Sequence, residues 1–468
     1  MALAKTMSEE DAVMNVETAK PGEWMDTATL ISDVDFNHWP MRVPSDRYNS
    51  AEYAQREFEN LWMKVWQIAG RAEEIPSPGD WKVHKIHDQS FLLVRGKDGK
   101  VRGFVNACRH RGNRLCEGKG NSPRFTCRYH NWTYGLDGQA LAIANPDFDG
   151  PIEEFVAPKR ELGLLPIAVE CFAGFIFINP DHEAPPLAAF LGAARDVLDA
   201  YRMEDWVAVD INVREEMDCN WKVVMDAFGE SYHIQGVHPE LLGLSDTTRE
   251  RLQIFADHCV ATVPFGPATD GDLEKELQAI LGVPSEQFPL YADVLPRFAE
   301  TMEEYRDATG ALALPAGMTP KKLFQRMIRE QLTAKGYDVR KLTDTQMTDY
   351  LYWLLFPNVF IQICVGDATI IVNEPHPSGD HNRCVWHVMF LHWVPEEERV
   401  GKAVPVKVMA PGEHYPYHWV LQQDFDQMPI QQEGLRNHLF KEMLLTRSEP
   451  RVAHFHAAVN RWVDRAGL

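Results

Sequence analysis

The sequence contains no run of about 20 predominantly apolar residues, the length that a membrane-spanning helix needs. Its two most apolar stretches, residues 162–178 and 351–365, are each interrupted by proline and by polar side chains. The N-terminal residues are acidic and lack the apolar core of a secretory signal. The sequence therefore predicts neither a membrane span nor secretion.

Positive charge is also scarce. Lys and Arg number 47 against 68 Asp and Glu, which gives a formal net charge of −21. Nucleic acids and anionic membranes are bound through Lys and Arg, so this balance argues against both as partners. The 8 cysteines are scattered through 468 residues, which is not the density of a disulfide scaffold. We predict a reducing, cytoplasmic environment.

The remaining composition, 45% hydrophobic and 25% charged, is typical of a globular protein. Residues 1–54 are predicted to form a polar arm and a first helix, packed on the main domain or on a neighbouring subunit. Residues 55–180 combine short apolar strands with Asp-Gly turns, which indicates a small β-rich domain. Residues 181–468 mix helical and strand patterns, which predicts a larger domain with an antiparallel sheet flanked by helices. The predicted fold class is α+β.

Two mixed pairs of cysteine and histidine lie in the β-rich domain. One residue separates Cys108 from His110. After sixteen intervening residues comes Cys127, which two residues separate from His130. Two thiolates and two imidazoles are the ligands of a Rieske-type [2Fe–2S] cluster, whose imidazoles raise the reduction potential. A structural zinc site can use the same ligands. Zinc fingers more often pair Cys with Cys and His with His, so the cluster is the favoured interpretation.

This segment resembles the Rieske domain of the Rieske non-heme iron oxygenases, the large subunits of ring-hydroxylating oxygenases. Those proteins carry a Cys-x-His-Arg-Gly start and a Cys-x-Tyr-His-Gly-Trp finish, and the sequence matches them over residues 108–112 and 127–132. It departs at Asn131, where the family usually has glycine. The resemblance implies these [2Fe–2S] ligands: Cys108, His110, Cys127 and His130.

A second candidate metal site lies in the run NWKVVMDAFGESYHIQGVHPE. Asp226, Glu230 and His233 are spaced by four and three residues, which places them on one face of a predicted helix. His238 lies about 140° further round such a helix, so both histidines reach one metal only if the helix unwinds near Gly236. Two histidines and a carboxylate form the facial triad of non-heme Fe(II) sites. The alternative is a polar helix face with two ordinary histidines.

The second run resembles the catalytic-domain motif of the same family. The resemblance implies that His233 and His238 bind a mononuclear iron and that the carboxylate ligand lies near the C-terminus. In the matching run WVLQQDFDQMPIQQEGL, Asp424 fits best by its spacing and Asp426 is the alternative. Glu230 is implied to be a bridge to a cluster histidine of a neighbouring subunit rather than a ligand.

Two residues of the second site depart from the family's pattern, and both are predicted to act in catalysis. Asp226 stands where many relatives carry Asn or Gln close to the iron. A second carboxylate there could repel Asp424 or stay protonated. Glu230 stands where most relatives have Asp, which keeps the charge and adds one methylene.

The resemblance implies a terminal oxygenase component with one [2Fe–2S] cluster, one mononuclear Fe(II) and O₂ as co-substrate. The sequence has no GxGxxG nucleotide fingerprint in a strand–turn–helix context, so its electrons should come from a separate ferredoxin and/or flavin reductase. The implied assembly is a homotrimer, with or without a small beta subunit. In such a trimer, electrons cross between neighbouring chains.

The substrate is expected to be a small apolar molecule, aromatic or polycyclic, that is cis-dihydroxylated or monooxygenated. The candidate pocket residues, each of which could equally be core packing, are Met225, Ala227, Phe228, Phe265, Trp353, Phe356, Phe360 and Ile361. Oxidative demethylation by the same metal ligands stays open. A non-catalytic Rieske electron carrier and a zinc-stabilised binding protein are the other classes. Colour separates zinc from iron, because a Rieske cluster makes the protein red-brown.

Overall fold

The structure is a computed structural model that describes residues 25–26, 39–144, 159–241, 249–283 and 289–464. Of the predicted N-terminal arm, residues 1–24 and 27–38 lie outside the described residues, and strand β1 (Met25–Asp26) lies within them. Within the described ranges, no helix is long and apolar enough to cross a membrane.

Residues 39–62 pack against the larger domain. Ser50 accepts a hydrogen bond from the backbone N–H of Tyr53 and so caps the first long helix. Val43 and Tyr48 are buried in the same core as the larger domain's helices. The elements of this segment are strand β2 (Arg42–Pro44), helix α1 (Asp46–Asn49), helix α2 (Ala51–Glu57) and a π-helical turn (Phe58–Trp62).

The β-rich domain follows, with ten strands among its described residues. They are β3 (Gln67–Arg71), β4 (Asp80–Ile86), β5 (Gln89–Arg95), β6 (Val101–Val105), β7 (Lys119–Asn121), β8 (Phe125–Thr126), β9 (Thr133–Tyr134), β10 (Ala140–Ala142), β11 (Pro166–Phe172) and β12 (Phe175–Asn179). A seven-stranded sheet has the order β3-β12-β11-β6-β5-β4-β7, and a three-stranded sheet the order β10-β9-β8. A small core between them includes the candidate ligands Cys108 and Cys127.

A nine-stranded sheet forms the centre of the larger domain. Its strands besides β1 are β13 (Trp206–Met217), β14 (Arg251–Phe255), β15 (His258–Val263), β16 (Tyr350–Leu355), β17 (Val359–Cys364), β18 (Asp367–Pro375), β19 (Cys384–Trp393) and β20 (Lys407–Val408). The order is β1-β14-β15-β16-β17-β18-β19-β13-β20, and all neighbours are antiparallel except β13 and β20. A short strand, β21 (Glu442–Leu444), pairs with β2.

Helices cover both faces of this sheet, which confirms the predicted α+β class. They are α3 (Leu187–Leu191), α4 (Ala194–Asp199), α5 (Trp221–Ala227), α6 (Ile234–Val237), α7 (Leu273–Leu281), α8 (Pro289–Glu304), α9 (Pro320–Ala334), α10 (Glu396–Lys402), α11 (Trp419–Leu435) and α12 (Pro450–Val463). One face packs on α7, α8 and α9. The other face packs on α5, α11 and α12. Since successive side chains of a strand point to opposite faces, neighbouring residues enter different cores.

Candidate metal centres

The two Cys–His pairs of the β-rich domain converge. The Nδ1 atoms of His110 and His130 lie 3.1 Å apart. The thiols of Cys108 and Cys127 are buried and face each other. Trp132 stacks on the His110 ring at 5.1 Å between centroids. The structure thus brings the two histidines together and the two cysteines together.

The two thiols of this site differ in pKa, because burial raises the pKa of the Cys108 thiol above its ordinary value. Burial raises the pKa of the Cys127 thiol, but hydrogen bonds from the backbone N–H groups of Tyr129 and His130 hold it below its ordinary value. Burial and the neighbouring His130 lower the pKa of His110. Thiolate and neutral imidazole are the forms that bind metal. A mixed pair of each is the donor set of a Rieske cluster.

Asn131, the departure from the family's glycine, has a backbone φ of 57°. This left-handed conformation favours glycine, and Asn adopts it more readily than most other residues. The backbone N–H of Asn131 donates to the Cys127 carbonyl at 3.0 Å, and the N–H of Cys127 donates to the Trp132 carbonyl at 2.8 Å. The substitution therefore keeps the turn that a glycine would make.

The second candidate centre joins residues from two distant parts of the chain. His233, His238 and Asp424 are the one group of at least three His, Cys, Asp or Glu side chains, among the described residues, whose ligand atoms lie within 4.8 Å of one another. Oδ1 of Asp424 is 2.8 Å from Nε2 of His238 and 3.8 Å from Nε2 of His233. Two imidazoles and one carboxylate match the facial triad of non-heme iron, so these donors fit the predicted metal.

The backbone reaches this arrangement differently from the sequence prediction. Helix α5 ends at Ala227, before Glu230, so the prediction that Asp226, Glu230 and His233 share one helical face is wrong. The chain makes one further helical turn, α6, between the two histidines, and His238 follows it with φ −127° and ψ 53°. The main break in the helix therefore precedes the histidines instead of separating them.

Two polar side chains orient the histidines. Oε1 of Glu230 is 2.8 Å from Nδ1 of His233. Oε1 of Gln423 is 2.8 Å from Nδ1 of His238. Because an acceptor at Nδ1 places the ring proton there, Nε2 of each histidine is left free for metal. Sequence reasoning missed Gln423, although it directly precedes Asp424.

Asp226 lies outside the group of three. Tyr48 donates to its Oδ2 at 2.5 Å, and Nε2 of His456 lies 2.9 Å from its Oδ1. All three side chains are buried. Burial and the adjacent carboxylate raise the pKa of Tyr48 well above its ordinary value. The structure therefore places Asp226, on helix α5, in a buried hydrogen-bond network with partners that sequence reasoning missed.

Asp426, the alternative ligand, is exposed on α11 and accepts a hydrogen bond from Gln422 at 2.9 Å. Asp424 is buried and joins the histidines. The two carboxylates are two residues apart on a helix, so they point to different sides. Of the two candidates, the structure brings only Asp424 to the site.

The predicted pocket residues divide between the two faces of the sheet. Three of them, Phe265, Trp353 and Ile361, lie in or against the core formed with α7, α8 and α9. Asp424 lies on α11, which packs on the opposite face. The sheet therefore lies between these three residues and the helix that carries Asp424, and the structure does not bring them to the triad.

The other five candidates lie on the face that carries the triad: Met225, Ala227, Phe228, Phe356 and Phe360. Phe356 packs towards the C-terminal helix, with its ring 6.1 Å from that of Trp462. The Phe228 ring lies 4.8 Å from that of Phe360 and 6.4 Å from that of Trp386. Trp386 in turn stacks at 5.3 Å on Phe425, which directly follows Asp424. Sequence reasoning missed Trp386 and Phe425.

Two family models match the chain. A model described as the catalytic domain of the ring-hydroxylating alpha subunit matches residues 198–465, more than half of the chain. A model described as the Rieske [2Fe–2S] domain matches residues 65–155. The two matches follow each other in the order of the two metal centres.

Curated relatives fall into two groups. A glycine betaine monooxygenase oxygenase subunit from Pseudomonas aeruginosa (strain UCBPP-PA14) is 37% identical over 229 residues, 47% of this chain and 51% of the relative. The alpha subunit of biphenyl 2,3-dioxygenase from Rhodococcus jostii (strain RHA1) is 32% identical over 213 residues, 42% of this chain and 44% of the relative. The aligned part of the chain thus spans about half the length of these relatives.

Solved structures share the fold. A quaternary ammonium Rieske monooxygenase superposes with a TM-score of 0.60 at 18% identity, covering 90% of this chain and 94% of the other. A naphthalene 1,2-dioxygenase superposes with a TM-score of 0.61 at 21% identity, covering 90% and 91%. Both likenesses extend over nearly the whole chain.

Proposed function

The chain belongs to the ring-hydroxylating alpha-subunit family of Rieske non-heme iron oxygenases, and from this premise we propose that it is a terminal oxygenase component. It would use O₂ and electrons from a separate donor to hydroxylate a small molecule. The eight free cysteines suit the reducing cytoplasm, where we expect it to act.

The convergence of His233, His238 and Asp424 carries this proposal. A pure electron carrier would need the cluster ligands alone and would leave these three side chains without a purpose. Iron bound there would supply O₂ activation. The chain's own residues supply position: Glu230 and Gln423 hold the imidazole rings, and the aromatic side chains beside Asp424 exclude water.

Electron supply would involve two kinds of partner. A ferredoxin or flavin reductase would reduce the cluster, since the sequence has no nucleotide fingerprint of its own. The electron would then pass from His130 of one chain to Glu230 of a neighbour in a homotrimer, with or without a small beta subunit. His110 and Tyr129 are exposed, which suits a contact at this tip of the β-rich domain.

We propose a quaternary ammonium compound as the substrate, hydroxylated at an N-methyl carbon. The glycine betaine relative supports this substrate class. So does a buried carboxylate: Oε2 of Glu215 lies 3.1 Å from Nδ1 of His414, while its Oε1 has no hydrogen-bond partner among the described residues. Glu215 pairs directly across the sheet with Trp386, so the two side chains share a face. A carboxylate beside aromatic rings suits an organic cation.

The proposed reaction would insert one oxygen atom of O₂ into a C–H bond of an N-methyl group. One O₂, two electrons and two protons convert the N-methyl group into N-hydroxymethyl and release one water. The carbinolamine then breaks its C–N bond and yields formaldehyde, a tertiary amine and a proton. This is the oxidative demethylation that the sequence left open.

A second candidate is cis-dihydroxylation of an aromatic ring. It is favoured by the apolar side chains on the triad's face of the sheet, Phe228 and Phe360, and by the biphenyl dioxygenase relative. Here both atoms of O₂ would enter the product.

Single turnover with ¹⁸O₂ tests both candidates. Protein with a pre-reduced cluster is mixed with labelled O₂ and either glycine betaine or naphthalene, and the products are analysed by mass spectrometry. We expect formaldehyde and unlabelled dimethylglycine from glycine betaine. A doubly labelled diol from naphthalene would favour the second candidate. No oxidised product from either substrate class, with both metals loaded, would contradict the N-demethylation proposal.

A further inference from the structure

The β-rich domain is basic within an acidic chain. From Lys82 to Arg128 the sequence has twelve Lys and Arg and three Asp and Glu, a local net charge of +9 in a chain of net charge −21. Every residue of this segment is described by the structure. A field of one sign on one domain steers partners of the opposite sign towards it. The sign here selects an acidic partner.

Part of this charge is concentrated on the side of the domain next to strands β4 and β7. Lys82 and Lys119 pair directly across the two strands, an arrangement in which like charges repel. Glu74 neutralises Lys82 at 2.6 Å, and Glu117 neutralises Arg114 at 2.8 Å. Lys119 and the nearby Lys85 are exposed and have no carboxylate partner among the described residues. With Arg114 these lysines form what we call the basic flank: Lys82, Lys85, Arg114 and Lys119.

The basic flank surrounds a cavity of about 400 Å³ at the junction with the larger domain. All four of its residues line this cavity, and Arg214 lines it from the other domain. Three carboxylates, Glu74, Glu117 and Glu374, line it too and pair with Lys82, Arg114 and Arg214, so Lys85 and Lys119 carry the unpaired positive charge. His84 also lines it, is 96% buried (4% exposed), and makes no hydrogen bond to any described residue. Because Lys85 and Lys119 are unpaired at its rim, the cavity can receive a carboxylate.

The basic flank lies close to the sulfur side of the cluster site. The Asn113 side-chain amide donates to the Arg114 carbonyl at 3.0 Å and lies 3.7 Å from Sγ of Cys127. The loop is fixed further on, because the Cys116 N–H donates to Asn106 at 3.0 Å. One ordered side chain thus separates the flank's backbone from a cluster ligand. An electron arriving at the flank would have a short route to the cluster.

We propose that the basic flank is the docking site of an acidic electron-donor protein, with one of its carboxylates entering the cavity beside His84. The inference rests on the proposed function, because it assigns the partner of the same cluster. Docking here leaves the histidine tip of the domain free for the neighbouring subunit. The donor and the second copy can therefore bind together, one on each side of the cluster.

Stopped-flow reduction of the cluster tests the docking site. The probe is an acidic plant-type [2Fe–2S] ferredoxin, reduced beforehand and mixed with the oxidised holoprotein at low ionic strength. In the double variant Lys85→Glu/Lys119→Glu we expect the second-order rate constant to fall by at least about tenfold. The difference from the unchanged protein should shrink as salt screens the charges.

The matched control is Lys97→Glu/Lys100→Glu. These lysines are exposed in the turn between β5 and β6 of the same domain and do not line the cavity. The variant makes the same change in net charge, so we expect a much smaller fall in rate. Equal falls in the two variants would show that net charge alone acts and would overturn the docking site. So would an unchanged rate in Lys85→Glu/Lys119→Glu.

Two further measurements distinguish donor docking from binding of a second copy and from a failure of the proposed function. Light scattering reports the assembly; if Lys85→Glu/Lys119→Glu dissociates the oligomer, the flank binds a second copy and the proposal is wrong. Single turnover after chemical reduction bypasses the donor, and we expect the variant to form product as the unchanged protein does. If the unchanged protein forms no product, the proposed function fails, while the reduction rates still decide the docking site.

Discussion

The carboxylate of Glu230 makes two hydrogen bonds to His233. Oε1 of Glu230 is 2.8 Å from Nδ1 of the ring, and Oε2 accepts the backbone N–H of the same histidine at 2.9 Å. The two contacts fix both the position of the residue and the tautomer of its ring. Within the described chain, Glu230 acts on the iron site through His233 and makes no contact with the cluster histidines.

The variant Glu230→Gln should show whether Glu230 acts as a bridge for electrons or as an iron ligand. The amide keeps the shape but loses the charge, so we expect iron occupancy and cluster absorbance near normal and cluster oxidation slower by about 10–100-fold. The measurement is single turnover, with the cluster pre-reduced and then mixed with O₂ and substrate. Glu230→Asp, which restores the family's usual residue, should retain more activity. Normal cluster oxidation in Glu230→Gln would refute the bridging role, and loss of iron would make Glu230 a ligand.

Removing any of the three iron ligands should abolish turnover while the cluster's visible spectrum persists. We expect this of His233→Ala, His238→Ala and Asp424→Ala, because each removes one donor of the triad. Metal analysis should show less than the normal mononuclear iron. Asp426→Ala is the control, since that carboxylate is exposed and should not affect iron. An active Asp424→Ala beside an inactive Asp426→Ala would reverse the assignment.

The cluster histidines should set its reduction potential. In His110→Cys or His130→Cys a thiolate replaces a neutral imidazole, which adds negative charge to the cluster. We expect a cluster-containing variant to show a potential lower by on the order of 100 mV or more. Protein-film voltammetry or a redox titration of the visible spectrum measures it. An unchanged potential in such a variant would contradict the Rieske assignment.

The turn at Asn131 should tolerate glycine and resist alanine. At φ 57° an alanine side chain meets the steric cost of the left-handed region. We expect Asn131→Ala to lower the free energy of unfolding of the β-rich domain by about 1 kcal/mol, and Asn131→Gly to change it by a few tenths. Denaturant unfolding, followed by loss of cluster absorbance, gives the comparison. A larger loss for Gly than for Ala would mean that the asparagine side chain itself stabilises the turn.

The ligands could be predicted from sequence where they lie on short, continuous loops. Residues 108–130 and 230–238 each bring their donors together within a few turns of chain, and spacing alone limits the possible geometries. Asp424 was found through the resemblance of its motif. Asp226 could not be placed, because its partners Tyr48 and His456 are 178 and 230 residues away in the chain.

Pocket residues are hard to assign from the sequence for a different reason. Strands β16 and β17 are buried on both faces, so their side chains form continuous apolar runs without the alternation that identifies a solvent-facing side. Trp353 and Leu354 are both buried, yet they enter opposite cores. Only the packing of helices on each side decides which of them can meet a substrate.

The larger domain is built from two separate segments of the chain. Strand β2 pairs with β21, so Arg42 lies opposite Leu444, and Glu57 binds the buried Lys222 at 2.7 Å. During synthesis, residues near Arg42 must therefore wait for Glu442, 400 residues later. At roughly 5–20 residues per second, that delay is about 20–80 s. The β-rich domain lies wholly inside this interval, so a ribosome-bound chain can complete the cluster's ligand loops while Asp424 does not yet exist.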